Sequence, residues 1–244
     1  MNFAPYINAV KMYYHGFMES LVEYITVGDI GTNCWFYRLE ADDSAEKRPC
    51  AVIDPGDEAG LIISTLRKLN WVPRYIFLTH GHFDHLAALP GLLEEFGGAA
   101  ASPQIGVHRL DANYLGKNSL DLHRDSMIAA GGPASYVEAL WKPLPEADLL
   151  FEEGDTAGPF KVLHLPGHSQ GSVAYYNEKN QVLFSGDTLF QGNWGRTDLP
   201  GGNEAQLYQS LKRLLKMKPE IVVCPGHGPP TSIKDEQRIA MYLG

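Results

Sequence analysis

Thr79-His80-Gly81-His82-Phe83-Asp84-His85 stands where a compact apolar run, Tyr75 to Leu78, gives way to helical spacing. Four metal-capable side chains fall within six residues. His80 and His82, two apart, can project to the same side of an extended turn, while Asp84 and His85 sit where the chain curls into the helix. Neutral imidazoles beside a carboxylate suit zinc, iron, manganese or nickel. A lone histidine at a strand end is more often a satisfied polar residue than a ligand. Four such groups together reverse that balance.

Around this stretch the chain alternates strand and helix. Upstream, Leu61, Ile62, Leu66 and Leu69 recur at helical spacing within 58–69, and a second helix is expected from Leu86 to Phe96, with Gly97-Gly98 as its stop, before a strand near Ile105 to Val107. Further upstream, Leu21 to Val27, Thr32 to Leu39 and Cys50 to Ile53 read as a meander with turns at 28–31 and 41–49. Residues 109–148 mix helical stretches with Gly131-Gly132-Pro133 and are read as an insertion. Strands return at Leu149 to Phe151, Phe160 to Leu165, Ser172 to Tyr176 and Gln181 to Phe184, with a hairpin turn at 177–180. A helix from Glu204 to Met217, a buried strand from Ile221 to Cys224 and a last helix from Lys234 to Leu243 complete the pattern. Two batches of strands, each followed by helices, predict an α/β chain of four layers, read as one domain over 1–244.

Composition narrows the function. With 29 acidic against 20 basic residues the net charge is -9, which argues against a nucleic-acid footprint. Cys34, Cys50 and Cys224 are odd in number and lack CxxC spacing, so neither a disulfide framework nor a thiolate zinc site is implied. No apolar run approaches the roughly 20 residues that span a bilayer, and the first residues show no leader pattern. The expectation is a cytoplasmic protein with a small-molecule substrate, no nucleic-acid partner and no membrane partner.

Three further strand ends repeat the design of the first: Leu165-Pro166-Gly167-His168, Ser185-Gly186-Asp187 and Cys224-Pro225-Gly226-His227. Each alone would read as a structural turn, but each presents a ligand type after a glycine that permits sharp turning and close approach. Asp54, closing Ile53-Asp54-Pro55-Gly56, either orients a ligand histidine from behind or caps its turn. His15, His108, His123 and His164 match no such position and are read as surface or core histidines.

Taken in order, the HxHxDH run, later histidine, aspartate and final histidine resemble the metallo-β-lactamase superfamily over nearly the whole chain. The resemblance implies the αββα sandwich of that superfamily. It also implies one metal on His80, His82 and His168, a second on Asp84, His85 and His227, and Asp187 bridging both, with two divalent ions, zinc first and iron or manganese as alternatives. Asp187 stands where a cysteine would point to the β-lactamases proper, so the sequence is more similar to the hydroxyacylglutathione hydrolase (glyoxalase II) branch. The implied reaction is thioester hydrolysis by a metal-bridging hydroxide, with Asp84 as a candidate proton acceptor.

Arg196 matches a glutathione-contacting lysine of that branch and is a candidate carboxylate clamp; the alternative is a salt bridge to Asp198 that shapes the loop. The tyrosine that follows the lysine in the family has no counterpart, since Asp198 stands there. After His227 the sequence leaves 17 residues (244 minus 227), too few for the helical domain that supplies further glutathione contacts in two-domain members. The 109–148 segment is expected to cover the site instead. Rival readings are a mononuclear iron persulfide dioxygenase on positions similar to His80, His168 and Asp187, a lactonase or general esterase, and a metal-binding module without turnover.

Overall fold

The computed structural model describes residues 8–10, 21–40, 47–98 and 102–243. His15 lies outside them. Among the described residues one sheet holds seven strands in sequence order: β1 (Asn8–Val10), β2 (Val22–Val27), β3 (Thr32–Arg38), β4 (Arg48–Ile53), β5 (Trp71–Phe77), β6 (Gln104–His108) and β7 (Leu149–Phe151). From β1 to β4 the neighbours are antiparallel, and from β4 to β7 they are parallel. The switch follows the connections. A short turn returns the chain between β2 and β3, whereas parallel neighbours need crossovers, supplied by helix α1 (Ala59–Leu69) and helix α2 (Leu89–Phe96). The 109–148 segment is likewise the crossover from β6 to β7. It contains a 3-10 turn at Arg109–Tyr114 and helices α3 (Leu120–Ala129) and α4 (Ala134–Leu140).

The second sheet is built from β8 (Thr156–Ala157), β9 (Phe160–His164), β10 (Val173–Asn177) and β11 (Val182–Gly186). A two-stranded ribbon, β12 (Leu189–Phe190) and β13 (Asn193–Trp194), and helix α5 (Glu204–Leu214) precede β14 (Val222–Pro225) and β15 (Thr231–Ser232). Its order is β15-β14-β11-β10-β9-β8.

Side-chain alternation stacks these pieces. Trp35, Tyr37, Ala51, Ile53 and Phe77 meet Val182, Phe184 and Cys224 between the sheets. The intervening Cys34, Phe36, Cys50, Val52 and Ile76 pack toward Ile62 and Leu66 of α1 and Leu89 and Leu92 of α2. On the far side, Leu183 and Val223 pack on Leu207, Leu211 and Leu214 of α5. Each sheet thus buries one face on the other and one on helices, giving the four-layer αββα order. Between the sheets the rings interlock, with Phe77 and Tyr175 centroids 5.2 Å apart. The Tyr175 hydroxyl donates to the Leu78 carbonyl at 2.8 Å, tying the second sheet to the segment that leads into His80.

Local chemistry sets the helix ends. Asn70 takes φ 56° at the end of α1 and donates to the Arg67 and Leu66 carbonyls, while the Asn203 side chain caps α5 by accepting from Gln206 N.

Several boundaries differ from the sequence expectation, among them the end of α5, at Leu214 and not Met217. Helix α2 begins at Leu89, not Leu86, because Phe83–His85 form a separate 3-10 turn and Pro90 suits a first helical turn. Strand β5 runs back to Trp71 because its pairing with β4 starts at Arg48↔Trp71. The expected helix from Lys234 to Leu243 is instead α6 (Ile233–Glu236) followed by a 3-10 segment, Gln237–Tyr242. The break falls at Glu236, whose buried carboxylate is held by Gly192 N and Thr231 Oγ1. Among the described residues no helix is long and apolar enough to cross a membrane.

Candidate metal centre

Five strands deliver polar side chains from their C-terminal ends to one place. Asp54 follows β4, the Thr79–His85 run follows β5, His168 follows β9, Asp187 ends β11's turn, and His227 follows β14. Ends of strands are free of ladder constraints while the strands behind them are rigid, so side chains there are both mobile in design and fixed in position.

The structure brings together all seven residues expected as ligands, in three overlapping groups: His80, His82 and His168; His80, His85 and Asp187; and Asp84, His85 and His227. His168 Nε2 lies 2.9 Å from His82 Nδ1 and 3.2 Å from His80 Nε2. His85 Nε2 lies 3.3 Å from both Asp84 Oδ2 and His227 Nε2. Asp187 faces both sides, 3.5 Å from His85 Nε2, 3.4 Å from His227 Nε2 and 3.6 Å from His168 Nε2.

The outward ring nitrogens show which way the lone pairs point. His85 Nδ1 sits 3.0 Å from Asp54 Oδ2, His168 Nδ1 2.8 Å from the Arg196 carbonyl, and His227 Nδ1 3.3 Å from the Gly31 carbonyl. Carboxylate and carbonyl oxygens only accept, so these nitrogens carry the proton and the inward Nε2 atoms carry lone pairs. Asp54 is fixed in turn by Thr79 N at 2.8 Å and Thr79 Oγ1 at 2.6 Å. It stands behind His85, and its carboxylate serves Thr79 and His85.

Electrostatics follow from crowding. Burial, reinforced by neighbouring rings, holds His80 well below the usual imidazole value and His82 at about 3. Burial also opposes charge on His85 and His227. There the carboxylates outweigh it: Asp84, Asp187 and Asp54 raise His85 well above its ordinary value, and Asp187 with Asp84 brings His227 to about 10. Burial would lift Asp84 and Asp187, but their histidine partners hold both well below the usual carboxylate range. These two carboxylates therefore draw positive charge strongly to one point. Asp187 Oδ1 is buried without a hydrogen-bond partner, and His82 turns its Nδ1 to the cluster, 2.9 Å from His168 Nε2. Converging lone pairs, two anions and an unpartnered buried oxygen fit divalent cations, which displace the protons.

Residues 27–227 match the family model described as the metallo-beta-lactamase superfamily. The chain belongs to the metallo-β-lactamase superfamily. It is 32% identical over 225 residues to the hydroxyacylglutathione hydrolase GloC of Haemophilus influenzae, covering 91% of this chain and 97% of that one. Among solved structures it is similar to BLEG-1 B3 metallo-β-lactamase, with TM-score 0.73, 34% identity and coverage of 91% and 99%. It is also similar to TTHA1623 in a di-iron-bound form, with TM-score 0.69, 36% identity and coverage of 88% and 96%. The activity class that goes with this membership is metal-dependent hydrolysis.

Two supporting residues of this superfamily site carry no sequence signal of their own. Asp111, from the turn after β6, accepts from Gly81 N at 2.9 Å, Gly171 N at 2.7 Å and Ser169 Oγ at 2.7 Å. Its carboxylate thereby clamps the loop bearing His80 and His82 to the loop bearing His168. Asn33, at the start of β3, donates to the Pro225 and Gly228 carbonyls at 3.1 and 2.6 Å, and its own N–H to the Gly226 carbonyl at 2.7 Å, which frames His227. Asp111→Asn replaces an acceptor oxygen by a donor among three donors. It is expected to weaken metal affinity and hydrolysis by about 10- to 100-fold, the usual range for supporting partners of metal ligands. Unchanged metal titration and unchanged turnover would contradict this.

Above the cluster opens a cavity of about 390 Å³. Its floor is His82, Asp84, His168, Asp187 and His227. His123 of α3, read from sequence as an ordinary surface or core residue, is buried but borders this cavity, and its Nε2 faces the Tyr114 carbonyl at 2.8 Å. His108 and His164 stack on each other, with centroids 4.1 Å apart. Arg196 reaches the cavity rim, but its guanidinium is engaged bidentately by Asp198, at 2.7 and 2.8 Å, and also donates to the Ala130 carbonyl at 3.3 Å.

Proposed function

We propose that the protein is a dinuclear metal hydrolase of thioesters, with one ion held by His80, His82 and His168, the other by Asp84, His85 and His227, and Asp187 shared. The observation that carries this reading is the position of Asp187, within 3.6 Å of histidines from both groups. Two bound divalent ions, zinc first with iron or manganese as alternatives, supply Lewis acidity toward a carbonyl and acidify water into a nucleophile at neutral pH.

The chain's own residues supply the rest. Asp54, the Arg196 carbonyl and the Gly31 carbonyl hold three rings in the tautomer that offers Nε2 inward. Asp84 Oδ2 accepts from Thr32 Oγ1 at 2.9 Å while facing His85 and His227. That placement supports ligation as its role more than proton transfer. No cysteine, and no serine–histidine pair, takes part, so no covalent acyl intermediate is invoked. In net terms, a water oxygen bonds to the acyl carbon, the carbon–sulfur bond breaks, and a carboxylate, a thiol and a proton result. A thiolate departs with little help from a general acid, which suits a centre whose histidines are committed to ligation.

The relative's name, hydroxyacylglutathione hydrolase, supports the thioester class. A single-iron dioxygenase would use a subset of the same residues, but Asp84, His85 and His227 stand gathered as a second group. The deciding measurement pairs metal content per chain with hydrolysis of S-lactoylglutathione and of a neutral acyl thioester, and with oxygen uptake on glutathione persulfide. Two metals and thioester hydrolysis are expected. About one iron per chain with oxygen uptake would overturn the proposal.

A further inference from the structure

The cavity walls differ in kind from its floor. Ile30 from the turn before β3, Met127 of α3 with Ala130 just after it, and Phe190, Trp194 and Leu199 from the segment after Asp187 make most of the wall apolar above a charged base, while His123 and Ser126 of α3 add polar atoms to it. Among the described residues that line it, Arg196 is the one lysine or arginine. Its Nε and Nη2 are engaged bidentately by Asp198, two residues away, and its Nη1 donates to the carbonyl of Ala130, just after α3. Asp198 is tethered, so its effective concentration at the guanidinium exceeds that of any free ligand carboxylate, and displacing it exchanges one ion pair for another. Arg196 is therefore a strap that joins the two apolar walls. The negative side chains at the floor, Asp84 and Asp187, converge with the histidines of the candidate metal groups and would be committed to the cations.

We infer that the cavity selects thioesters whose group seated there is neutral and apolar, an aliphatic or aromatic chain, and that it disfavours an anionic glutathione portion, whose charge would be desolvated against these walls. This inference rests on the hydrolase reading for its reaction, but on the walls alone for its selectivity. Ile30 is 45% exposed at the rim, so a charge can be introduced there without disturbing the core. Apolar burial improves affinity by up to about fourfold per methylene seated, from roughly 0.8 kcal/mol each.

The test uses the purified metal-loaded protein and two non-hydrolysable thioethers with the same alkyl group, S-hexyl-N-acetylcysteamine, which is neutral, and S-hexylglutathione, which is anionic. Calorimetry is expected to give the neutral ligand an affinity at least fivefold higher in the wild type. Ile30→Lys is expected to reduce that ratio by fivefold or more, with circular dichroism unchanged. A smaller wild-type ratio, failure of the neutral ligand to bind, or a ratio untouched by Ile30→Lys overturns the inference. Hydrolysis of S-lactoylglutathione and S-hexanoyl-N-acetylcysteamine separates the two conclusions. Neutral preference in binding without turnover of either thioester counts against the hydrolase reading, whereas turnover with a glutathione preference counts against the inference.

Discussion

Asp187→Ala is expected to lower thioester hydrolysis by about three orders of magnitude or more, a loss of about 4 kcal/mol in transition-state stabilisation, and to reduce bound metal to below one ion per chain. The reason is positional. Asp187 is the carboxylate that faces histidines of both groups, at 3.4 to 3.6 Å, and its Oδ1 has no hydrogen-bond partner to compensate it. Removing it leaves His85 and His227 with less negative charge to hold a cation against mutual repulsion. Asp187→Asn keeps the shape and loses the charge, so it is expected to retain the fold while losing most of the metal. Elemental analysis and steady-state rates check both variants; wild-type values in either would remove Asp187 from the centre.

Gly226→Ala is expected to damage the centre by about 100-fold or more in hydrolysis, although the substitution adds a single methyl group. A Cβ at this position would overlap Asp187 Oδ1 and stand 2.8 Å from His85 Cε1. Gly226 is also gripped from behind, its carbonyl accepting from Asn33 N at 2.7 Å and its N–H donating to the Gly186 carbonyl at 2.9 Å. The backbone cannot retreat without giving up these bonds, so the carboxylate must move. Gly60→Ala is the control. It lies in α1 with no atom within 4 Å of an added Cβ, and it is expected to leave hydrolysis unchanged and raise stability by about 0.5–1 kcal/mol. Metal content, rates and thermal melts compare the two; equal rates would mean that Asp187 is not confined by Gly226.

The contrast between these residues shows what a sequence carries. His80, His82, Asp84 and His85 are legible because their chemistry is packed into one local run, and His168, Asp187 and His227 because each follows a strand pattern and a glycine. The alternation of Trp35 and Tyr37 with Cys34 and Phe36 likewise announces a strand buried on both faces. Asp111 and Asn33 were not legible. Their partners lie 30 to 60 and 192 to 195 residues away, and a lone aspartate or asparagine looks the same in a turn as in a clamp. Arg196 was legible as a choice between clamp and loop-shaping pair. That choice depends on where the Asp198 side chain points, which no spacing encodes. The break in the final helix is invisible in sequence because it depends on Glu236 reaching Gly192 and Thr231.

Each of the three candidate ligand groups draws from both sheets: His80 and His82 need His168, His80 and His85 need Asp187, and Asp84 and His85 need His227. A chain still being synthesised, with only its first sheet complete, therefore owns no finished group. The first two groups are completed as His168 and Asp187 arrive with the second sheet, and the third waits until β14 has joined β11 and carried His227 into place. A complete centre therefore requires both sheets, so the full metal-binding free energy is available only to the folded chain. The cations act as a seal on a finished product. Because such a seal stabilises the native state by mass action, starving a cell of metal should shorten the lifetime of this protein before it changes the protein's shape.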